Sequence, residues 1–239
     1  MTLCRVFCCK KMQNMLLLRV RYAVGDIHGC FETFRELLHQ LNFNTRNDSL
    51  ILLGDLIDRG PHSKKIIDLV FKLQEAGADI TCLRGNHEQM LLDSLLDKEA
   101  DEIWKKNGGR ATLHSFGVRE GRQIPDHYLG FFDSMPYYLE VDNYVLVHAG
   151  LNFEDSDIFE DTHAMMWLRN YHVDDEKLGG KTLVHGHTPT AVERIQRSLN
   201  SSRVCIDSGC VYNAIHMNQL CSLNLDHHAL VFQANIDND

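Results

Sequence analysis

The sequence has no long apolar run, and its apolar stretches are short and interrupted by charge. In residues 1–25 the apolar pieces are broken by basic residues, among them Arg19 and Arg21. A membrane-spanning helix needs about 20 consecutive apolar residues, and the apolar core of a secretion signal would not be cut at Arg19. The sequence therefore predicts a cytoplasmic protein with no membrane partner.

Positive charge is also scarce. The chain has 24 lysines and arginines against 33 aspartates and glutamates, which gives a formal net charge of −9. Nucleic acids and anionic membranes attract basic surfaces, so we expect no nucleic-acid partner. No long basic groove is apparent in the sequence either.

Cysteine pairs with CxxC spacing are absent, although the chain has eight cysteines. Most lie in or beside apolar runs, which favours buried free thiols in a reducing compartment over a disulfide framework. Repeats, low-complexity tracts and linkers rich in Pro, Gly or Ser are absent as well. The sequence predicts a disordered or extended segment over 1–17, in which Cys4, Cys8 and Cys9 are weak candidates for metal ligands, and a single domain over 18–239.

The chain does contain apolar runs that alternate between the period of a strand and that of a helix. Strands are predicted over 16–25, 49–55 and 79–86, and helices over 31–41 and 63–76. This βαβαβ order predicts parallel strands joined by right-handed crossovers. Residues 88–116 are predicted to be mainly helical.

The second half of the chain is predicted to consist largely of short antiparallel strands. A hairpin turned at Asp142 and Asn143 is followed by strands within 181–186, 203–209, 220–225 and 229–234. A parallel half followed by an antiparallel half predicts an α/β fold. In this fold two packed, mixed β-sheets form a β-sandwich flanked by helices.

Five apolar runs end in a loop that begins with residues of the type that bind metals. The loops are GDIHG (25–29), GDLIDRG (54–60), GNHE (85–88), HAG (148–150) and HGHT (185–188). One such motif alone, for example the one at Asp26, is explained by a tight turn in which Asp26 caps the helix that follows. Because strand ends of an open α/β sheet meet at one edge, five such loops together predict a metal site.

The predicted ligands are two aspartates, one asparagine and three histidines: Asp26, His28, Asp55, Asn86, His148 and His187. A mixed oxygen and nitrogen set without thiolate suits Mn, Fe or Zn and argues against a cysteine-type structural zinc site. Six ligands exceed the need of one ion with an open position. Two divalent ions that share a carboxylate fit the number, and such a pair can clamp a phosphoryl group during in-line displacement.

The order and spacing of the motifs resemble those of the metallophosphoesterase superfamily. The series GDxHG, GDxxDRG and GNHE is more closely similar to the phosphoprotein phosphatase family of serine/threonine phosphatases. The short length and GNHEQM resemble its compact bacterial and phage-type branch, and the resemblance covers about residues 18–234. It implies a metallophosphoesterase-like fold for the domain 18–239. It also implies hydrolysis of phosphoserine, phosphothreonine and phosphotyrosine monoesters in phosphoproteins or phosphopeptides. Because the sequence shows no long basic groove, we expect such substrates to be accepted with little regard to their flanking residues.

The resemblance also implies a role for each site residue. Asp26 and His28 would hold one metal, Asp55 would bridge, and Asn86, His148 and His187 would complete the second site. Mn is the first choice, with Fe or Zn as alternatives, and a metal-bridging hydroxide would attack phosphorus directly. His87 would protonate the leaving alkoxide with help from Asp58, and Arg59 and Arg169 would bind phosphate oxygens.

Other interpretations stay open at the level of sequence. A sister family that hydrolyses dinucleoside tetraphosphates shares the scaffold, as do small-molecule phosphoesterases. That sister family tends to lack the Asp of DRG and to have Asp in place of Glu88, and both differences favour the protein phosphatase. A catalytically inactive binding module would need a missing ligand or acid, and every expected position is filled. Asp58 and Arg59 would otherwise be a surface ion pair, and Arg169 a solvated helix residue.

Three further residues are given supporting roles. Glu88 is predicted to cap or buttress the helix that follows it. His185 departs from the branch, which often has an apolar or aromatic residue there, and is predicted to fill space or support the site. Asp207 is predicted to support the site from behind.

Overall fold

The first third of the chain folds as its periodicity predicts. In the computed structural model, which describes residues 19–237, the elements are β1 (Arg21–Val24), α1 (Phe31–Gln40), β2 (Ser49–Leu52), α2 (Ser63–Glu75) and β3 (Asp79–Cys82). β1 pairs with β2, and β2 with β3, in parallel. The predicted extended segment 1–17, with its three cysteines, lies outside the described residues.

A helical region and a second set of strands follow. The helices are α3 (Asn86–Ser94), α4 (Lys98–Trp104), a π-helical turn (Lys105–Gly109), α5 (Arg110–Phe116), a 3₁₀ turn (Gly121–Gln123) and α6 (Asp126–Asp133). The remaining elements are β4 (Tyr138–Val141), β5 (Tyr144–Val147), α7 (Thr162–Trp167), β6 (Thr182–His185), α8 (Val192–Ser198), β7 (Arg203–Cys205), β8 (Gln219–Asn224) and β9 (Ala229–Ala234). Among residues 19–237, no helix is both long and apolar enough to cross a bilayer.

The strands form two mixed sheets, as predicted, but their directions differ from the predicted parallel and antiparallel halves. One sheet has the order β3-β2-β1-β8-β9 and the other β4-β5-β6-β7. β5, β6 and β7 are parallel, because helices α7 and α8 carry the chain back between them. β8 and β9 leave the second half and join the first sheet as antiparallel strands.

The two sheets pack face to face through a buried apolar layer. Ala23 and Ile51 of the first sheet and Val184 and Val204 of the second belong to one cluster of buried side chains. The outer faces carry separate clusters, one beneath the helices of residues 31–133 and one beneath α7. Burial on both faces explains why the parallel strands are nearly continuous apolar runs.

Candidate active site

The polar loops that follow five strands meet at one edge of the sandwich. They come after β1, β2, β3, β5 and β6. Backbone hydrogen bonds join neighbouring loops: the amide of His28 donates to the Asp55 carbonyl at 2.8 Å, and that of Gly186 donates to the His148 carbonyl at 2.8 Å. The fold therefore brings residues that are more than 150 positions apart in sequence into one site.

Four of the six predicted ligands fall into two groups that share Asp55. Two groups have ligand atoms within 4.8 Å of one another; one is His28, Asp55 and His87, and the other is Asp55, His148 and His187. The Asp55 carboxylate lies 3.5 Å from His28 Nε2 and 3.4 Å from His148 Nε2. Asp55 is common to both groups, which is the arrangement that a shared ligand requires.

Asn86 lies beside the second group, whereas Asp26 lies outside both groups. The side-chain oxygen of Asn86 is 3.0 Å from His148 Nε2 and 2.9 Å from His187 Nδ1. Both carboxylate oxygens of Asp26 accept the backbone amide of His187 at 3.1 Å. The structure thus joins Asp26 to the loop that carries His187. In the group that contains His28, the residue beside it is His87 and not the predicted Asp26.

The tautomers of His28 and His148 favour a bound cation. His28 Nδ1 lies 2.9 Å from the Ile57 carbonyl and His148 Nδ1 lies 2.8 Å from the Leu53 carbonyl. A carbonyl only accepts, so Nδ1 carries the proton in each ring and Nε2 presents a lone pair. Burial lowers the pKa of both histidines below the ordinary value, which keeps the rings neutral.

The oxygen ligands have the complementary character. Burial raises the pKa of Asp55, but the positive charge that His148 and His87 carry when protonated outweighs burial, and the net pKa lies well below its ordinary range. The ionised carboxylate therefore faces the lone pair of His148 and that of His28, which Arg59 Nη1 also contacts. Buried acceptors that face one another, as Asp55 and His148 do, are costly without a cation between them. His187 Nε2 is also buried with no hydrogen-bond partner among the described residues. The donor set fits two divalent ions, with these residues as their ligands.

His87 and Asp58 form a buried pair. His87 Nδ1 lies 2.7 Å from Asp58 Oδ2, and His87 Nε2 points toward Asp55 at 3.9 Å. Burial lowers the pKa of His87, but the carboxylates of Asp55 and Asp58 outweigh burial, and the net pKa is raised. Asp58 is fully buried, so it is not a member of a surface ion pair.

Two residues that lie outside the sequence motifs hold Asp58 in place. Trp104 Nε1 donates to both carboxylate oxygens, at 3.1 and 2.9 Å, and Thr112 Oγ1 donates at 2.6 Å. Burial raises the pKa of Asp58, and the hydrogen bonds from His87, Thr112 and Trp104 oppose that rise. The local signal in the sequence for these contacts is the pair of adjacent glycines in NGG (107–109), which lets the backbone approach Trp104 and Arg59 closely.

We expect Gly109→Ala to destabilise the protein by about 1–3 kcal/mol, the usual range for overpacking. A Cβ at Gly109 would lie 2.4 to 2.7 Å from atoms of the buried Trp104 indole, so the ring that holds Asp58 must move. The matched control is Gly130→Ala on α6, where nothing lies within 4 Å and alanine is the better helix former. Urea unfolding measures both; equal free energies of unfolding for Gly109→Ala and the wild type would contradict the expectation.

Glu88 fastens the loop that carries Asp55. Its carboxylate accepts the backbone amides of Asp55 at 2.9 Å, Leu56 at 2.7 Å and Gly85 at 3.0 Å. The predicted capping role is confirmed, because the Gly85 contact caps α3. The other two contacts show that the same carboxylate also positions the shared ligand of the site.

The backbone is strained at the site. Ten residues other than glycine have positive φ within the described part of the chain, and five of them are predicted site residues: His28, Asp55, Asp58, Arg59 and His187, with φ from +47° to +71°. Side chains with a Cβ rarely adopt this region. Such strain persists where the surroundings force it, and it concentrates at functional sites.

The two predicted phosphate-binding arginines both border the site. Arg59 is half-buried; its Nη1 contacts His28 Nε2, and its guanidinium lies 5.5 Å from the centre of the Tyr212 ring. Arg169 is exposed, and its Nη1 donates to the His187 carbonyl at 3.5 Å. Tyr212 carried no signal in the sequence that would have singled it out.

His185 and Asp207 lie outside both ligand groups. His185 is buried and its Nε2 accepts Arg203 Nε at 2.9 Å. Asp207 accepts the amide of Gly209 at 2.8 Å, and burial raises its pKa to about 7. The pKa of Asp26 is raised mainly by burial, and the Asp207 carboxylate raises it further.

Comparison with known proteins extends the resemblance. A family model described as calcineurin-like phosphoesterase matches residues 21–218. Serine/threonine-protein phosphatase 1 of Salmonella typhimurium is 32% identical over 206 residues, covering 80% of this chain and 87% of that protein. The asymmetrical bis(5'-nucleosyl)-tetraphosphatase PrpE of Oceanobacillus iheyensis is 26% identical over 222 residues, covering 79% of this chain and 83% of that protein.

A solved structure shows the same fold. It is a protein serine/threonine phosphatase from Saccharomyces cerevisiae with similarity to human phosphatase PP5; the TM-score is 0.63 at 15% identity, covering 92% of this chain and 80% of that one. The match of the family model extends over all five strand-end loops and over the residues able to hold two metal ions. The chain therefore belongs to the calcineurin-like phosphoesterases and is a phosphoesterase hydrolase.

Proposed function

We propose that the protein is a metal-dependent protein phosphatase that hydrolyses phosphoserine and phosphothreonine monoesters, and phosphotyrosine as well. The observation that carries the proposal is the buried His87–Asp58 pair, with its 2.7 Å contact and the support of Trp104 and Thr112. The leaving group of a serine or threonine ester is an alkoxide, a strong base that needs a proton from a positioned acid. The leaving group of a phosphoanhydride is a far weaker base with much less need of one.

The chain's own residues divide the remaining work. Asp26, His28, Asp55, Asn86, His148 and His187 would hold the metals, with Mn expected first and Fe or Zn as alternatives. When bound, the two cations would supply a Lewis acid for the phosphoryl oxygens and an activated water. Arg59 and Arg169 bind the remaining phosphate oxygens, a task suited to a permanently charged, planar donor.

His87 is the acid in this proposal. Its Nε2 donates a proton to the leaving oxygen, while Nδ1 stays hydrogen-bonded to Asp58. The Asp58 carboxylate fixes the tautomer and orientation of the ring and stabilises its charged form. Trp104 and Thr112 keep Asp58 itself in one position, so that the acid is aligned before substrate binds.

A dinucleoside tetraphosphate hydrolase is the second candidate, because a relative with that name covers nearly the same share of the chain as the protein phosphatase does. A phosphoprotein is favoured by the acid pair and by the DRG motif that contains Asp58 and Arg59. Either substrate would be drawn to an acidic chain by the local positive charge of the metals and arginines.

The test compares kcat/KM, with Mn present, for phosphoserine, phosphothreonine and phosphotyrosine peptides, p-nitrophenyl phosphate and diadenosine tetraphosphate. We expect the peptides to exceed the tetraphosphate, and protein treated with a chelator to have no activity until Mn is added back. A preference for the tetraphosphate of more than about tenfold, or ~1.4 kcal/mol in transition-state free energy, would replace the protein phosphatase with the second candidate.

A further inference from the structure

A basic cavity adjoins the candidate active site. It has a volume of about 380 Å³ and lies between the loops after α7 and β6, helix α8 and strand β7. Arg169, Arg194 and Arg203 line it, together with the hydroxyls of Thr188, Thr190 and Ser198, and no carboxylate is among its lining residues. These are the groups that bind phosphate: guanidinium forks and hydroxyl donors.

The three arginines are uncompensated. None of them forms an ion pair with a carboxylate in the described range 19–237, although the chain carries 33 acidic residues and a net charge of −9. Three guanidinium groups around one cavity repel one another unless an anion lies between them. Their convergence on one cavity points to an anionic ligand.

Arg203 is held in position for such a ligand. Its Nε donates to His185 Nε2 at 2.9 Å, its Nη1 donates to the Tyr171 carbonyl at 3.2 Å, and its guanidinium lies 3.9 Å from the centre of the Tyr171 ring. A fixed guanidinium loses little conformational entropy when an anion binds. The contact also gives a role to His185, which holds Arg203 in position and is not one of the potential metal ligands.

The cavity and the candidate metal centre share a wall. Arg169 lines the cavity and donates to the carbonyl of His187, and Thr188 is the next residue in the chain. Arg169 therefore borders both sites, and a group next to a reacting phosphate bound at Arg169 would extend into the cavity towards Arg194 and Arg203. Arg194 and Arg203 are 25 and 34 positions from Arg169 in sequence, which is why no basic groove is predicted from the sequence.

We infer that this cavity binds a second phosphate group on the same phosphopeptide, so that the enzyme prefers doubly phosphorylated segments. The inference rests on the proposed function. It replaces the expected indifference to flanking residues with a preference for a second phosphate group nearby. Arg194, exposed on α8, is the residue whose removal tests it with the least disturbance of the fold.

The first test compares kcat/KM for a peptide with one phosphoserine and for the same peptide with a second phosphoserine at each position up to four residues away. We expect the wild type to favour one spacing by about fivefold or more, the scale of charge-assisted contacts at a half-exposed site. Arg194→Ala should bring this ratio close to one and Arg194→Glu below one. Arg197→Ala, exposed on the same helix but outside the cavity, should keep the wild-type ratio.

The inference is overturned by a wild-type ratio of one at every spacing, by an unchanged ratio in Arg194→Ala, or by an effect of Arg194→Ala confined to diadenosine tetraphosphate. The last result would identify a polyphosphate chain as the occupant instead of a peptide.

A second test measures binding of inorganic phosphate to metal-free protein by calorimetry, which needs no turnover. Binding should be weaker in Arg194→Ala and Arg194→Glu and unchanged in Arg197→Ala. If phosphate binding depends on Arg194 but no phosphopeptide is hydrolysed, the proposed function is wrong, and a phosphopeptide is excluded as the ligand of the cavity. If singly phosphorylated peptide is hydrolysed but phosphate binding does not depend on Arg194, the cavity inference alone fails.

Discussion

Asp55→Asn should reduce kcat/KM by about 10³-fold or more and leave the protein unable to retain two metal ions. Among the residues that the structure describes, Asp55 alone is common to both groups of potential ligands, and its carboxylate lies between His28 and His148. An amide has one oxygen and no charge, so it cannot serve two cations. Charge stabilisation by the metals amounts to several kcal/mol, and each 1.4 kcal/mol corresponds to a factor of ten.

The matched control for this substitution is Asp207→Asn. Asp207 is equally buried and lies outside both ligand groups. Burial raises its pKa to about 7, so the substitution by asparagine removes less charge there than at Asp55. The control should retain both ions and most of the activity. Elemental analysis gives the metal content, and melting of the metal-free proteins separates ligand loss from unfolding. Two bound ions together with wild-type kcat/KM in Asp55→Asn would exclude Asp55 as the shared ligand.

The parts of the fold that the sequence predicts are those encoded locally. Apolar runs and the glycines that follow them mark where β1, β2 and β3 end, and the polar residues after each end then fall at one edge of the sheet. The pairing of β8 and β9 with the first sheet is different. A strand pattern shows which side chains share a face, but it does not name the neighbouring strand, so the return of these strands required the structure.

The same distinction applies to the site. The candidate ligands could be singled out because each lies inside a short motif that can be recognised by itself. Trp104, Thr112 and the arginines at 194 and 203 lie in ordinary helix and strand patterns, and only tertiary packing brings them to Asp58 or to Arg169. The strained backbone at Asp55 was equally hidden, because the left-handed conformation is imposed by surroundings such as the Glu88 carboxylate and not by a glycine at that position.

His87→Asn should slow the hydrolysis of phosphoserine peptides by about 10²- to 10⁴-fold, the usual contribution of a general acid, and slow p-nitrophenyl phosphate far less. The nitrophenolate leaving group is a weak base, so its departure needs little protonation, whereas the serine alkoxide cannot leave without it. Asparagine keeps a donor that can reach Asp58 and therefore keeps much of the local packing. The measurement is the ratio of kcat/KM for the two substrates in mutant and wild type.

The position of His87 makes the metal content of this mutant decisive. His87 Nε2 lies 3.9 Å from Asp55 and shares a potential ligand group with His28, so the ring could act as a ligand instead of an acid. If it is the acid, His87→Asn retains both ions and changes the substrate ratio. Asp58→Asn should show the same pattern to a lesser degree, because the imidazole remains but loses the carboxylate that orients and charges it. An equal loss on both substrates together with loss of an ion would instead make His87 a metal ligand.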